Sequence, residues 1–199
     1  MNFELLVATN NAHKLKEIRK ILSPYHITVY GMKDLNIDIG EVVEDADTYY
    51  GNALIKAKAL QKVSTMPIIA DDSGLEIEAM DNAPGIFSAR YASSFGGHDK
   101  AIGHILEVLK GKNRNAKFIC DIVLVNVTKE PLKFEAVIPG KIAEAIDGEG
   151  GFGYDPIFIE EKSGKTYASM SEDEKNQVSH RGVALKKLLT YLRINNYAY

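Results

Sequence analysis

Ile68-Ile69-Ala70-Asp71-Asp72-Ser73-Gly74 is an apolar run that stops at two carboxylates, a hydroxyl and a glycine. Pro67 marks its start, β-branched Ile68 and Ile69 favour a strand, and Gly74 permits a sharp exit. The carboxylates are therefore expected at a strand's carboxyl end. In α/β proteins ligands bind at that edge, because loops leaving the strands converge there over a rigid sheet. Adjacent residues of an extended strand face opposite sides, so Asp71 and Asp72 are expected to have different jobs. One could hold a divalent cation while the other positions water or a lysine. The plainer alternative is an Asx-turn, with each carboxylate bonded to local amides.

Working upstream, Thr48 caps an expected helix from Tyr49 to Val63, on which Asn52, Lys56, Leu60 and Val63 share one side. Lys56 thus lies on a partly apolar face. The segment from Asp34 to Asp47 is acidic, with Asp38, Glu41, Glu44, Asp45 and Asp47. One such acid beside Asp72 would complete a cation site, since magnesium is usually held by one or two carboxylates plus waters and phosphates. Phe3 to Ala8 reads as a buried first strand and Ile27 to Tyr30 as a short second one. Between them Thr9-Asn10-Asn11-Ala12-His13-Lys14 is a polar connection into a helix bearing Leu15, Ile18 and Leu22, which Ser23-Pro24 stops. Such a junction suits an anion, because free amides and the positive end of the dipole meet Lys14 there. The glycines of a Walker loop are missing. The plainer alternative is an N-cap of Thr or Asn beside solvated lysines.

Downstream, Leu75 to Met80 alternates as a half-buried strand, Asp81 to Gly85 is a turn, and Ser88-Ala89-Arg90-Tyr91 leads into a loop with Gly96-Gly97. A helix follows through Ala101, Ile105 and Leu109, then strands over Lys117 to Thr128 and Lys133 to Ile138, paired antiparallel. The sheet is expected to be mixed. Gly148 to Pro156 packs four glycines, Phe152, Tyr154 and Asp155 into nine residues, giving close backbone approach and flat rings for a base. A surface hairpin whose rings cover core is the alternative. Ser171 and Glu174 form a capping box for a short helix carrying Lys175. Ser179-His180-Arg181-Gly182 opens the last helix, with Leu185, Leu188, Leu189 and Leu192 as its stripe. Cations in a first turn oppose the dipole, so His180 and Arg181 point to an electron-rich partner.

Composition narrows the classes. A length of 199 residues accommodates one core, and 26% charged residues with net charge −3 argue against a broad basic surface for nucleic acid. The single cysteine, Cys120, excludes an intrachain disulfide, fits a reducing compartment and is read as a buried small hydrophobe. The opening residues lack a basic leader and a long apolar core, and no stretch reaches the roughly 18 apolar residues of a membrane span. A soluble, cytoplasmic protein is expected.

Five separated motifs resemble one family. Thr9-Asn10-Asn11-Ala12-His13-Lys14, Ala70 to Leu75, Ala83 to Tyr91, Gly151 to Pro156 and Ser179 to Gly182 are similar, in order and wording, to the signatures of the Ham1/RdgB-type inosine/xanthosine triphosphate pyrophosphatases. The resemblance runs from Leu5 to Leu192. It implies an α/β fold, an elongated mixed sheet flanked by helices, in a single domain of two lobes around a central cleft, usually as a homodimer. The implied activity is magnesium-dependent hydrolysis of non-standard purine nucleoside triphosphates such as ITP, dITP and XTP to monophosphate and pyrophosphate, cleansing the nucleotide pool.

Carried over by that resemblance, Thr9, Asn10, Asn11, Ala12, His13 and Lys14 would bind the triphosphate with help from Lys56. Asp72 would be the catalytic carboxylate and a metal ligand, Ser73 a substrate contact, and Glu44 the second metal acid. Phe152, Gly153, Tyr154, Asp155, Lys175, His180 and Arg181 would enclose the base. The acidic pattern departs from the family's at Ala46 and Gly51, so Glu41 is a substitute for Glu44. Either Asp71 or Asp72 could take the proton from water. Two other classes compete. A haloacid-dehalogenase-like phosphatase would use a strand-end aspartate as nucleophile, although its Asp-x-Asp spacing is absent; a non-catalytic nucleotide-binding protein would bind triphosphate without turnover.

Overall fold

The aspartate-bearing segment does not end at its glycine. In the computed structural model, which describes residues 3–198, the chain begins with strand β1 (Phe3–Val7), helix α1 (Ala12–Leu22) and strand β2 (Ile27–Gly31). Asn11 caps α1, accepting the amides of His13 and Lys14, so these residues belong to the first helical turn rather than to a connection. Thr48 caps α2 (Tyr49–Gln61) through the Gly51 amide. Strand β3 then runs without a break over Ile68–Ile77, and only there passes into a 3-10 turn at Glu78–Met80.

The expectation of a strand ending at Asp71-Asp72, with a separate strand from Leu75, is therefore corrected. Gly74 is glycine because of a close approach: a Cβ there would overlap the carbonyl oxygen of Gly85 and crowd the Ser88 hydroxyl. Ser88–Ser94 forms helix α3, which the sequence did not announce, and the expected loop is confined to Phe95, Gly96 and Gly97 before α4 (His98–Val108). Strands β4 (Asn115–Val125) and β5 (Leu132–Ile142) are longer than their apolar runs. A short strand β6 (Phe158–Glu160) was not legible. Helices α5 (Glu172–Val178), with its capping box, and α6 (His180–Ile194) complete the chain.

Six strands form one sheet in the order β2-β1-β3-β4-β5-β6. β1 is parallel to β2 and β3, whereas β5 and β6 are antiparallel, so the sheet is mixed as the sequence implied. The chain divides into two units. The first comprises Met1–Asp72, Cys120–Glu135 and Arg181–Tyr199; the second comprises Ser73–Ile119 and Ala136–His180. The boundary falls inside β3, β4, β5 and α6. In the first unit, Leu6, Ala8, Ile68, Ala70, Val123 and Val125 of the sheet pack with Ala53, Ala57 and Leu60 of α2. The second has its own core of Leu75, Ile77, Ala101, Ile102, Ile105, Phe118, Ile157, Phe158 and Tyr167. Among the described residues, no helix is long and apolar enough to cross a membrane.

Candidate active site

Strand alternation divides the two aspartates. Asp72 lies two residues after Ala70, which packs with α2, and so shares that face. Its Oδ2 accepts from the Asn52 amide at 3.3 Å, and its Oδ1 lies 3.6 Å from Lys56 Nζ. Lys56 also meets Glu44 at 2.7 Å. Asn52 reaches back as well, accepting the Ala46 amide at 3.0 Å, which ties the acidic segment to α2. Asp71 faces the other way. Its Oδ2 accepts from Lys14 Nζ at 3.0 Å and from Arg181 Nε and Nη2 at 3.1 and 3.0 Å. Arg181 Nη1 donates to Glu17 at 2.6 Å. The Asx-turn alternative is thereby excluded, since both carboxylates engage distant cations.

These neighbours drive the carboxyls apart. Burial pushes Asp71 up, but Lys14, Arg181 and Lys56 outweigh it and hold Asp71 well below the usual carboxylate range. Burial also pushes Asp72 up; Lys56 and Lys14 oppose it, Asp71 and Glu44 reinforce it, and the net result is a raised carboxyl. Lys56 is the converse case: burial lowers it, yet Asp72, Asp71 and Glu44 raise it overall. Asp71 is a fixed anion locked to cations. Asp72 is the carboxylate suited to exchanging a proton.

Asp72 and Glu44 share Lys56, and Glu41 is exposed, so Glu44 is the acid that the fold brings to Asp72. No group of three or more His, Cys, Asp or Glu side chains placed to hold a metal occurs among the described residues. Two oxygen donors fit magnesium, which retains waters and takes substrate phosphates for its remaining positions.

In the second unit, Lys175 Nζ lies 2.6 Å from Asp155 Oδ2, which also accepts the Phe152 amide at 2.8 Å. The ammonium stands 4.8 Å from the Phe152 ring centre. Gly151, at φ +72, allows this fold-back, because a Cβ would collide with the Asp155 carboxylate. Tyr154 is directed elsewhere: its hydroxyl donates to the Ser88 carbonyl at 2.8 Å and its ring meets His98 edge-on. The His180 ring is buried and stacked on Phe118, 4.4 Å between centres. Ser73 continues β3 and is partly exposed.

The fold therefore regroups several expected residues. Arg181, expected beside the base with His180, is committed to Asp71 and Glu17. Lys14 meets Asp71, while Thr9 Oγ1 and Asn11 Oδ1 accept local amides; of the plainer alternative, the cap is real and the solvated lysine is not. Asn10 and His13 are exposed at that junction, next to Ala12 at the helix start. Glu17 and the amide of Asn52 were missed as site groups. The one signal for Glu17 was its position one helical turn after Lys14.

A sequence model described as the Ham1 family matches residues 5–191. A protein of Clostridium perfringens named dITP/XTP pyrophosphatase is 42% identical, over 96% of this chain and 97% of its own. One of Escherichia coli with the same name is 39% identical, over 96% and 98%. The solved Ham1 protein of Staphylococcus aureus superposes with a TM-score of 0.84 at 37% identity, covering 96% of this chain and 99% of that one. The Coxiella burnetii HAM1 protein gives 0.83 at 36% identity, covering 96% and 98%. With a family match along almost its whole length, relatives near 40% identity and the same fold, this chain belongs to the Ham1 family.

Proposed function

We propose that the protein is a magnesium-dependent pyrophosphohydrolase that converts dITP, ITP and XTP to the monophosphate and pyrophosphate. The observation that carries this reading is the divided aspartate pair on β3, one anion held through Oδ2 by Lys14 and Arg181 and one raised carboxyl beside Lys56 and Glu44. Relatives of nearly equal length that bear the name dITP/XTP pyrophosphatase support it.

Asp72 and Glu44 would hold the magnesium, which when bound polarises the phosphoryl group and offsets triphosphate charge. Asp72 accepts the proton from water as its oxygen bonds to the α-phosphorus. The bond from that phosphorus to the bridging oxygen breaks, and pyrophosphate leaves. Lys56 and Lys14 offset the charge that builds on the leaving group. Asp71 and Arg181 act behind them by fixing Lys14.

In this reading Thr9 to Lys14 serve the triphosphate, while Ser73, the Phe152 to Asp155 loop, Lys175 and His180 serve the base. Lys175 is a donor where inosine and xanthine present a carbonyl and adenine presents an amine. Each buried donor left unmatched costs about 1–3 kcal/mol, so adenine is disfavoured. A homodimer working in the cytoplasm completes the proposal.

The test incubates the purified protein and magnesium with dITP, ITP, XTP, ATP, GTP and dTTP separately, resolving monophosphate, pyrophosphate and orthophosphate. Pyrophosphate from the first three and little from ATP, abolished by EDTA and restored by magnesium, is expected. Orthophosphate alone would instead indicate a phosphatase, and binding without turnover a non-catalytic protein.

A further inference from the structure

Residues Phe118 to Val125 of β4 are buried, and Asp121 is the one charged side chain among them. A carboxylate on an interior strand needs compensating partners. Lys133 Nζ supplies one at 3.1 Å from Oδ2, and the backbone N–H of Tyr50 supplies another, both opposing the upward push of burial on this carboxyl. Oδ1 has no hydrogen-bond partner among the described residues. Lys133 also stands 5.9 Å from the Tyr50 ring centre, so it meets the same turn directly and through Asp121.

That turn is the start of α2. The helix has no acidic residue of its own there, although its free amides and positive dipole end favour an anion. Thr48 satisfies the Gly51 amide, and Asp121, from a strand about 70 residues later in the chain, satisfies that of Tyr50. Two residues beyond Tyr50 comes Asn52 and one further turn brings Lys56, the groups that meet Asp72 and Glu44.

We propose that Asp121 is a positioning residue for the hydrolysis: with Lys133 it anchors the first turn of α2 and so sets where Asn52 and Lys56 stand against Asp72. The proposal rests on the hydrolase reading above. Small displacements of groups around a reacting centre cost about 10- to 100-fold in rate, so the anchor should be visible in turnover.

The experiment compares Asp121→Asn and Lys133→Met with the unaltered full-length chain, by steady-state hydrolysis of dITP and by hydrogen exchange of the α2 amides. Lys133 is 40% exposed, and its replacement serves if the buried substitution prevents folding. A fall in kcat of about tenfold with KM within about twofold is expected. Faster exchange at Tyr50 to Lys56 should accompany it. In a Lys56→Ala background Asp121→Asn should cost less than about twofold more, because it acts through that lysine. Unchanged kcat and exchange, or effects of the two substitutions that multiply, would overturn the proposal. If the unaltered chain turns over no nucleotide, the hydrolase reading fails, and unchanged or faster α2 exchange in the variants separately rejects or supports the anchor.

Discussion

Arg181 directs Nε and Nη2 at a single oxygen of Asp71, at 3.1 and 3.0 Å, across 110 positions of sequence. Its remaining nitrogen, Nη1, holds Glu17 at 2.6 Å. The planar guanidinium matches this two-sided arrangement, whereas an ammonium has no fork to divide. The last helix is thus tied at its first turn to β3 and α1.

Arg181→Met removes that tie and leaves two carboxylates without their shared cation, one of them 1% exposed. Folding free energy should fall by about 3–5 kcal/mol. Arg181→Lys should recover only part of it. Urea unfolding midpoints check this, and a midpoint within error of the unaltered protein for Arg181→Met would refute the structural role.

Asp72→Asn should abolish proton transfer, lowering kcat about 10²- to 10⁴-fold. Stability should not follow. A carboxyl raised in the fold contributes fully below its unfolded value of about 3.9 and loses that contribution as pH rises through its folded value, so at neutral pH the charge is already a net cost. A Tm at pH 7 equal to or above that of the unaltered protein is expected. Retained turnover in a folded variant would shift the proton to another group.

Lys175→Met should act on discrimination. The ammonium, buried on α5, meets Asp155 of the glycine-rich loop and the rings of Phe152 and Tyr167. The ratio of kcat/KM for dITP over dATP should fall about tenfold, equivalent to one unmatched donor. Losing Asp155's partner should also cost about 3 kcal/mol of stability. If discrimination holds while stability drops, Lys175 is structural and the carbonyl is read elsewhere.

Cys120 is fully buried, and burial, helped by the Asp71 charge, pushes its thiol up to about 12. The folded protein should resist maleimide at pH 8 and react only on unfolding. Because the folded value is raised, stability tied to this group is complete below the ordinary thiol value of about 8.5 and is lost as pH rises toward about 12. Cys120→Ala should flatten the alkaline limb of a Tm-against-pH curve. An unaltered slope would place the alkaline loss in other groups, such as Tyr154, which burial also raises.

Much of the fold was legible because its signals are local. The Thr48 cap, the Ser171–Glu174 capping box and the Leu185 to Leu192 stripe each depend on neighbours within a turn or two. Helix α3 escaped because its seven residues are too few for a period, and β6 because three residues carry none. Gly74 misled for a different reason. The chemistry of a turn and that of a close backbone approach call for the same residue, and only Gly85 and Ser88, brought against it by folding, distinguish them.

The sequence by itself determined the family, the mixed sheet, the opposite facing of Asp71 and Asp72, and which segments would supply acids and cations. Tertiary structure alone decided the pairing: Lys14 and Arg181 to Asp71, Lys56 to Asp72 and Glu44, Asp155 to Lys175. Periodicity records which face of an element is buried and says nothing of which distant residue shares that burial. A carboxyl's proton affinity depends on those partners and on lost water, so the division of labour between two adjacent aspartates exists only once the chain has folded around them.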